Sequence, residues 1–263
     1  MPRVLRSVAG FVTQAGAGTT VVAASAGGTG NFSIDAFTSG KAYLEALWGS
    51  GAAFDFLRYR SPRMHDNNQG LRLQVGGTLR SNLIPWGMDA QLYSSDVPTV
   101  EADATGAGTQ VIVATYGYDD LQSGAPFLAN WPEVQARIVD ISGVQVAVTS
   151  GGIGAWGNGF PINGVFDNFK ADSTYAILGY TCSTAVAAFA LNGADTGNFD
   201  IAFPGDTDPR ETRNYFVRFA QESGRPSIPV FQANNRAGTV VKSVDSAAGT
   251  VSTVTLIAAR LGS

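Results

Sequence analysis

The residues able to do chemistry are few in this chain, and they are scattered. His65 is the only histidine, and it sits among Asp66, Asn67 and Asn68 in a stretch that reads as an exposed loop. Nucleophile activation by histidine needs a serine or cysteine within reach and a carboxylate to orient the ring. Nothing near His65 supplies that set, and no Gly-x-Ser-x-Gly elbow occurs. Cys182 is the only cysteine, inside the strand-like run Tyr180-Thr181-Cys182-Ser183. It has no neighbour that would stabilise a thiolate, so it reads as a small buried apolar residue.

One histidine and one cysteine cannot build a transition-metal cage. Calcium needs only oxygens, and Asp206-Thr207-Asp208 and Asp119-Asp120 are the best acidic pairs. Neither matches an EF-hand loop, and Asp208 reads better as a helix cap. The carboxylate pair of a glycoside hydrolase is available only in the sense that acids are present. Gly151-Gly152-Ile153-Gly154 and Gly157-Asn158-Gly159 resemble phosphate loops in composition. No helix pattern follows them, so they read as β-turns. Trp86, Trp131 and Trp156 offer either a sugar-stacking platform or packing at a subunit or domain junction; packing is the simpler reading. On this basis no residue is assigned a catalytic, cofactor-binding or metal-binding role, and no cofactor is expected.

Composition points towards surfaces that meet other protein. Of 263 residues, 44% are hydrophobic but only 14% are charged, against about 25% charged in typical domains. Arginine outnumbers lysine fourteen to three (Lys41, Lys170, Lys242). Interfaces favour arginine over lysine, although a GC-rich coding bias produces the same ratio. The net charge of −4 argues against a broad basic surface for nucleic acid. A small basic patch at Arg58, Arg60 and Arg63, with Arg72 and Arg80 beyond, is left open. The N-terminus alternates like a strand rather than a signal peptide. No run approaches the ~18 apolar residues of a membrane span, so membrane insertion is not expected.

The elements that must hold these residues are strands, with period-two alternation and glycine-rich turns throughout. In the first half, strands are expected near 3–13, 19–25, 31–37, 42–48, 52–60, 70–75, 83–93, 97–104 and 109–118. In the second half they are expected near 133–141, 143–149, 160–166, 174–182, 185–191, 198–203, 227–232, 239–245 and 250–260. Ser39–Leu47 is readable as a short helix, with strand preferred. One helix stands out at 209–222: Asp208 as N-cap, Pro209 at the first turn, Glu211 completing a capping box and Gly224 just past the end. Tyr215, Phe216 and Phe219 mark its apolar face. The first half has a polar stretch at 62–69 instead, read as a long exposed loop.

Five segments recur in the same order. Val21–Gly28 matches Val146–Gly152, Ala42-Tyr43-Leu44 matches Thr174-Tyr175-Ala176, and Ala53–Leu57 matches Ala188–Leu191. Ile84-Pro85-Trp86 matches Ile228-Pro229-Val230, and Thr109–Thr115 matches Ser252–Ala258. The offset grows along the chain, as insertions in loops would cause. The chain therefore reads as all-β, two tandem jelly-roll or β-sandwich modules arising from an internal duplication. The first spans 1–121, a connector 122–132, and the second 133–263. Trp48, Phe54, Phe56, Tyr180 and Phe189 are expected core fillers.

Duplication, length and strand count over about 3–260 together resemble the double jelly-roll major capsid proteins of tailless icosahedral viruses. That resemblance implies two barrels side by side, a helix inserted between late strands, and three chains forming a pseudo-hexagonal trimer. It implies a virion protein, made in the host cytoplasm, that binds copies of itself and other virion proteins and carries no catalysis. A phage cement or decoration protein, a carbohydrate-binding or adhesin sandwich, and more distantly a β-sandwich hydrolase are the alternatives.

Overall fold

The computed structural model describes residues 3–26, 32–35, 41–61, 69–75, 91–119, 127–163 and 169–262. Strands of the first half are β1 (Arg3–Gln14), β2 (Gly18–Val21), β3 (Ala23–Ala26), β4 (Ala42–Gly51), β5 (Phe54–Arg60), β6 (Leu71–Gln74), β7 (Gln91–Leu92), β8 (Thr99–Ala104) and β9 (Gly108–Asp119). A short strand and helix follow, β10 (Phe127–Ala129) and α1 (Trp131–Arg137). The second half holds β11 (Ile138–Thr149), β12 (Phe160–Pro161), β13 (Thr174–Cys182), β14 (Val186–Asn192) and β15 (Ile201–Gly205). It continues through α2 (Pro209–Thr212) and α3 (Tyr215–Ser223) to β16 (Ile228–Gln232), β17 (Val240–Val244) and β18 (Val251–Leu261).

Both halves weave their strands in one order. Each has a front sheet, β1-β9-β4-β7 in the first and β11-β18-β13-β16 in the second. Each has a back sheet, β2-β8-β5-β6 and β12-β17-β14-β15. Leaving aside β3 and β10, which extend front sheets at their edges, both front sheets join the first, eighth, third and sixth strands. Both back sheets join the second, seventh, fourth and fifth. This is the jelly-roll connection, made twice. Even an irregularity repeats: the third strand shifts register against the eighth at Leu44/Ala46 and again at Ile177/Gly179.

Each sandwich closes over inward-facing side chains, as an alternating strand requires. The first core gathers Val4, Val8, Leu44, Leu47, Phe54, Leu57, Tyr59, Ile112 and Tyr116. The second gathers Val144, Val146, Tyr180, Phe189, Phe203, Phe216 and Leu256. Phe54, Tyr180 and Phe189 are core residues, as expected.

The matched segments divide under this topology. The Phe54/Phe189 pair lies on the two fourth strands. Tyr43/Tyr175 and 109–115/252–258 lie on the third and eighth strands but one residue out of register, since the shared irregularity sets Leu44 with Ile177 and Tyr116 with Ala258. Val21–Gly28 and Val146–Gly152 do not correspond, because the former touches β2 and β3 while the latter ends β11, the counterpart of β1. A shared run of small and β-branched residues produced that false match. Ile84–Trp86 lies outside the described residues.

Three other expectations change. The strands expected at 133–141 and 143–149 are a two-turn helix, α1, and one long strand, β11. Asn130 and Glu133 there make the capping-box pairing expected further on, with the Asn130 N–H donating to the Glu133 carboxylate at 3.4 Å. The segment read as a connector already belongs to the second sandwich, since β10 pairs with β16. The helix expected at 209–222 is broken in two. Asp208 caps α2 by accepting from Arg210 N–H at 2.9 Å, but Glu211 pairs with Arg218 rather than with the cap. Asn214 leaves helical geometry (φ −128°, ψ 30°), and Tyr215, Phe216 and Phe219 are then buried in the second sandwich. Gly224 closes α3 in the left-handed conformation (φ 64°). Gly179 on β13 lets the break approach: a Cβ there would sit 2.2 Å from the Arg213 carbonyl oxygen.

The α2–α3 segment joins the fifth strand to the sixth. Its counterpart in the first half is the connection between β6 and β7, not the polar stretch 62–69, which joins β5 to β6. Residues 76–90 of that connection, and 62–68, lie outside the described residues.

Candidate assembly interface

Among the described residues, those able to do chemistry do not converge. His65, Arg63, Arg80, Trp86 and Asp120 lie outside the described residues. Cys182 is half-buried and donates to the Asp206 carbonyl at 3.1 Å. Burial, then the nearby Asp206 charge, pushes its thiol up to about 11, which keeps it protonated and poorly nucleophilic. Asp206 accepts from Asp208 N–H, and Asp208 is held below its usual range by hydrogen bonds from Arg210. Both carboxylates are engaged in ending β15 and starting α2. Asp119 pairs with Arg3 at 3.3 Å. Among the described residues, no cluster of three or more His, Cys, Asp or Glu is placed to hold a metal ion. No helix of the described residues is long and apolar enough to cross a membrane.

The glycine-rich turns have structural roles. Gly154 (φ +65°) lies directly against the Phe11 ring and donates its N–H to Asp245 O at 2.9 Å. Trp156 packs beside it at the junction of the two halves, and Trp131 packs against the second core at the start of α1. Trp131 also edges an open depression of about 530 Å³ between α1 and α3, lined with Pro132, Glu133 and Gln221.

What the fold does build is a seam between the sandwiches. The outer surface of the first front sheet lies on the outer surface of the second back sheet. Ala9, Ala46, Trp48, Val111 and Val113 meet Ala187, Ala188, Ala190, Ala202 and Val244, with Phe11 and Trp156 at the rim. Trp48 is therefore not a filler of its own sandwich. It is 1% exposed because the other sandwich covers it, and its indole N–H donates to Ala187 O at 3.1 Å. Alanines on β14 and β15 leave the flat surface that a tryptophan needs. The seam also carries hydrogen bonds through Ser7, whose N–H donates to Asp200 O at 2.7 Å and whose Oγ accepts from Ala202 N–H at 2.8 Å.

One end of the seam is ionic. Glu45 is buried and pairs with Arg3 of its own sheet and with Arg225 of the other sandwich, the latter at 3.2 Å. Arg3 also donates to Pro226 O at 2.7 Å and Ser227 Oγ at 3.0 Å. Arg225 stacks over the Tyr43 ring at 3.6 Å. Such a cluster fixes relative position, because removing one member leaves a charge buried without its counterpart.

Among the described residues, the seam leaves open the outer face of the first back sheet and the β11–β18 side of the second front sheet, whose β13–β16 side carries α1. On the second front sheet, the row counterparts of Phe11–Val111 and Ala9–Val113 are Ala147–Thr253 and Gln145–Thr255. This face is uncharged along its middle and ends in exposed Ile141 (55%) and Val251 (60%). On the first back sheet, a row runs Val21–Glu101–Arg58–Arg72 across four strands. Arg58 and Arg60 both pair with Glu101, Thr19 bonds Asp103, and Arg72 lies over Phe56 at 3.5 Å. Of the arginines read as a basic patch, Arg58 and Arg60 are thus neutralised in part by Glu101 and Arg72 rests on an aromatic ring, while Arg63 and Arg80 lie outside the described residues.

This seam was missed from sequence, yet a signal was present. The eighth strand of the first half is apolar on both faces, Val111-Ile112-Val113-Ala114, whereas its counterpart alternates, Thr253-Val254-Thr255-Leu256. Continuous apolar character marks a strand covered on both sides. No family model matches this chain, and no curated protein matches it.

Proposed function

We propose that this protein is a structural subunit of a virion shell, working by self-association and not by catalysis. One observation carries the reading. A single chain already contains two jelly rolls joined front sheet to back sheet, a head-to-tail contact that leaves the β11–β18 face and the first back-sheet face open among the described residues. A contact between unlike faces repeats from unit to unit and forms rings when the rotation closes. Two modules per chain make six similar wedges from three chains, and flat rings of wedges tile a shell. Low overall charge and few lysines suit walls that end up covered. The engaged state of Cys182, Asp206 and Asp208 gives no support to a hydrolase, and the packed Trp131 and Trp156 weaken a sugar platform.

Size-exclusion chromatography with light scattering, followed by electron microscopy of the purified protein, tests this. The expected result is a trimer that builds closed shells or shell fragments at high concentration. A chain that stays monomeric and forms no particles overturns the reading. A trimer that binds preformed shells without building its own places it among cement proteins instead.

A further inference from the structure

Resting on the shell-subunit reading, we infer that the outer face of β11 and β18 docks on the outer face of β5 and β8 in a second copy of this chain. The partner is chosen by the chain's own interior. The face of β11 and β18 is the positional counterpart of the β1 and β9 face, which is seated on β14, β15 and β17. The face of β5 and β8 is the counterpart of the β14 and β17 face that receives it. A second copy therefore presents the complementary surface in the geometry that the seam already uses.

The chemistry of the two open faces fits burial against each other. Gln145, Ala147, Thr253 and Thr255 bring no charge, so none is stranded when they are covered. Glu101, Arg58 and Arg60 are paired within their own face, so covering them does not separate charges that need water. The docked faces differ from the seam in one respect. Hydroxyls and an amide opposite arginine and glutamate make a polar, hydrated contact, where the seam has alanine and tryptophan. Association between chains is accordingly weaker than between the two halves of one chain, and it responds to concentration.

The test uses two single-face variants of the full chain. Ala147→Arg places a charge on the exposed middle of the β11 and β18 face. Val21→Arg does so on the other face, at a position 58% exposed. Thermal unfolding of each variant close to that of the unmodified chain establishes that both fold. By light scattering, each variant alone is expected to be monomeric at concentrations where the unmodified chain is a trimer. An equal mixture is expected to form dimers, because each variant keeps one intact face. The inference is overturned if either variant retains the trimer mass, if the mixture stays monomeric, or if Val21→Arg alone dimerises through like faces. Trimers that obey these rules but never build shells would leave the docking intact and remove the virion reading.

Discussion

The seam between the two halves and the two faces left open occupy equivalent positions in one repeated topology, yet they are made of different residues. The seam sets Trp48 against four alanines, with an ionic cluster locking one end. The open faces carry threonine, glutamine, and arginine paired to glutamate. Permanent interfaces resemble a core cut in half, whereas interfaces that form and separate are more polar. Identical folds therefore need not make equivalent contacts. The backbone sets where a face lies, and the outward side chains set whether it is covered as the chain folds or later.

The largest effect expected from testing that contrast is at Trp48. Trp48→Ala removes a large side chain from the seam and strands the Ala187 carbonyl, and should cost about 4 kcal/mol. Urea unfolding should then resolve two transitions in place of one, as the sandwiches lose their coupling. A loss below about 1 kcal/mol with a single transition would mean that the seam is not an internal interface. Glu45→Gln keeps the shape but removes the buried carboxylate that Arg3 and Arg225 share, leaving Arg3 paired with Asp119 and Arg225 stacked on Tyr43. A loss of about 3 kcal/mol is expected by the same measurement, and it should be larger than that of any charge variant on the open faces. Arg58→Ala on the first back sheet should cost less than about 1 kcal/mol, since the pair is partly solvated and Arg60 still holds Glu101. A larger cost there would make the open face as structural as the seam and erase the distinction.

Much of the fold was legible. Turn residues bounding runs of strand-forming residues located β1, β4, β5, β9, β13, β14, β17 and β18 to within a few residues. Of these, β18 alternates because it is half-buried, whereas β9 is apolar on both faces at Val111–Ala114 because it is covered on both sides. Helix boundaries were less legible. Asp208, Pro209 and Gly224 mark the ends of a helical segment, but nothing local reports that Asn214 must bend so that Phe216 reaches Phe203, their rings 5.5 Å apart. The Asn130–Glu133 capping pair was readable but was overlooked beside a strand-like run. Trp48 was recognised as buried and given to the wrong core, since an alternating pattern says that a side chain is covered and not by what.

The order of the strands along this chain, and the apolar character of one side of each, are properties of its sequence: local sterics and period-two burial require no distant partner. The weaving of those strands into front and back sheets, and the choice of which outer faces lie against each other, were settled only in three dimensions. Pairing depends on residues more than a hundred positions apart, such as Trp48 with Ala187 and Glu45 with Arg225. No window along the sequence contains both members of those contacts.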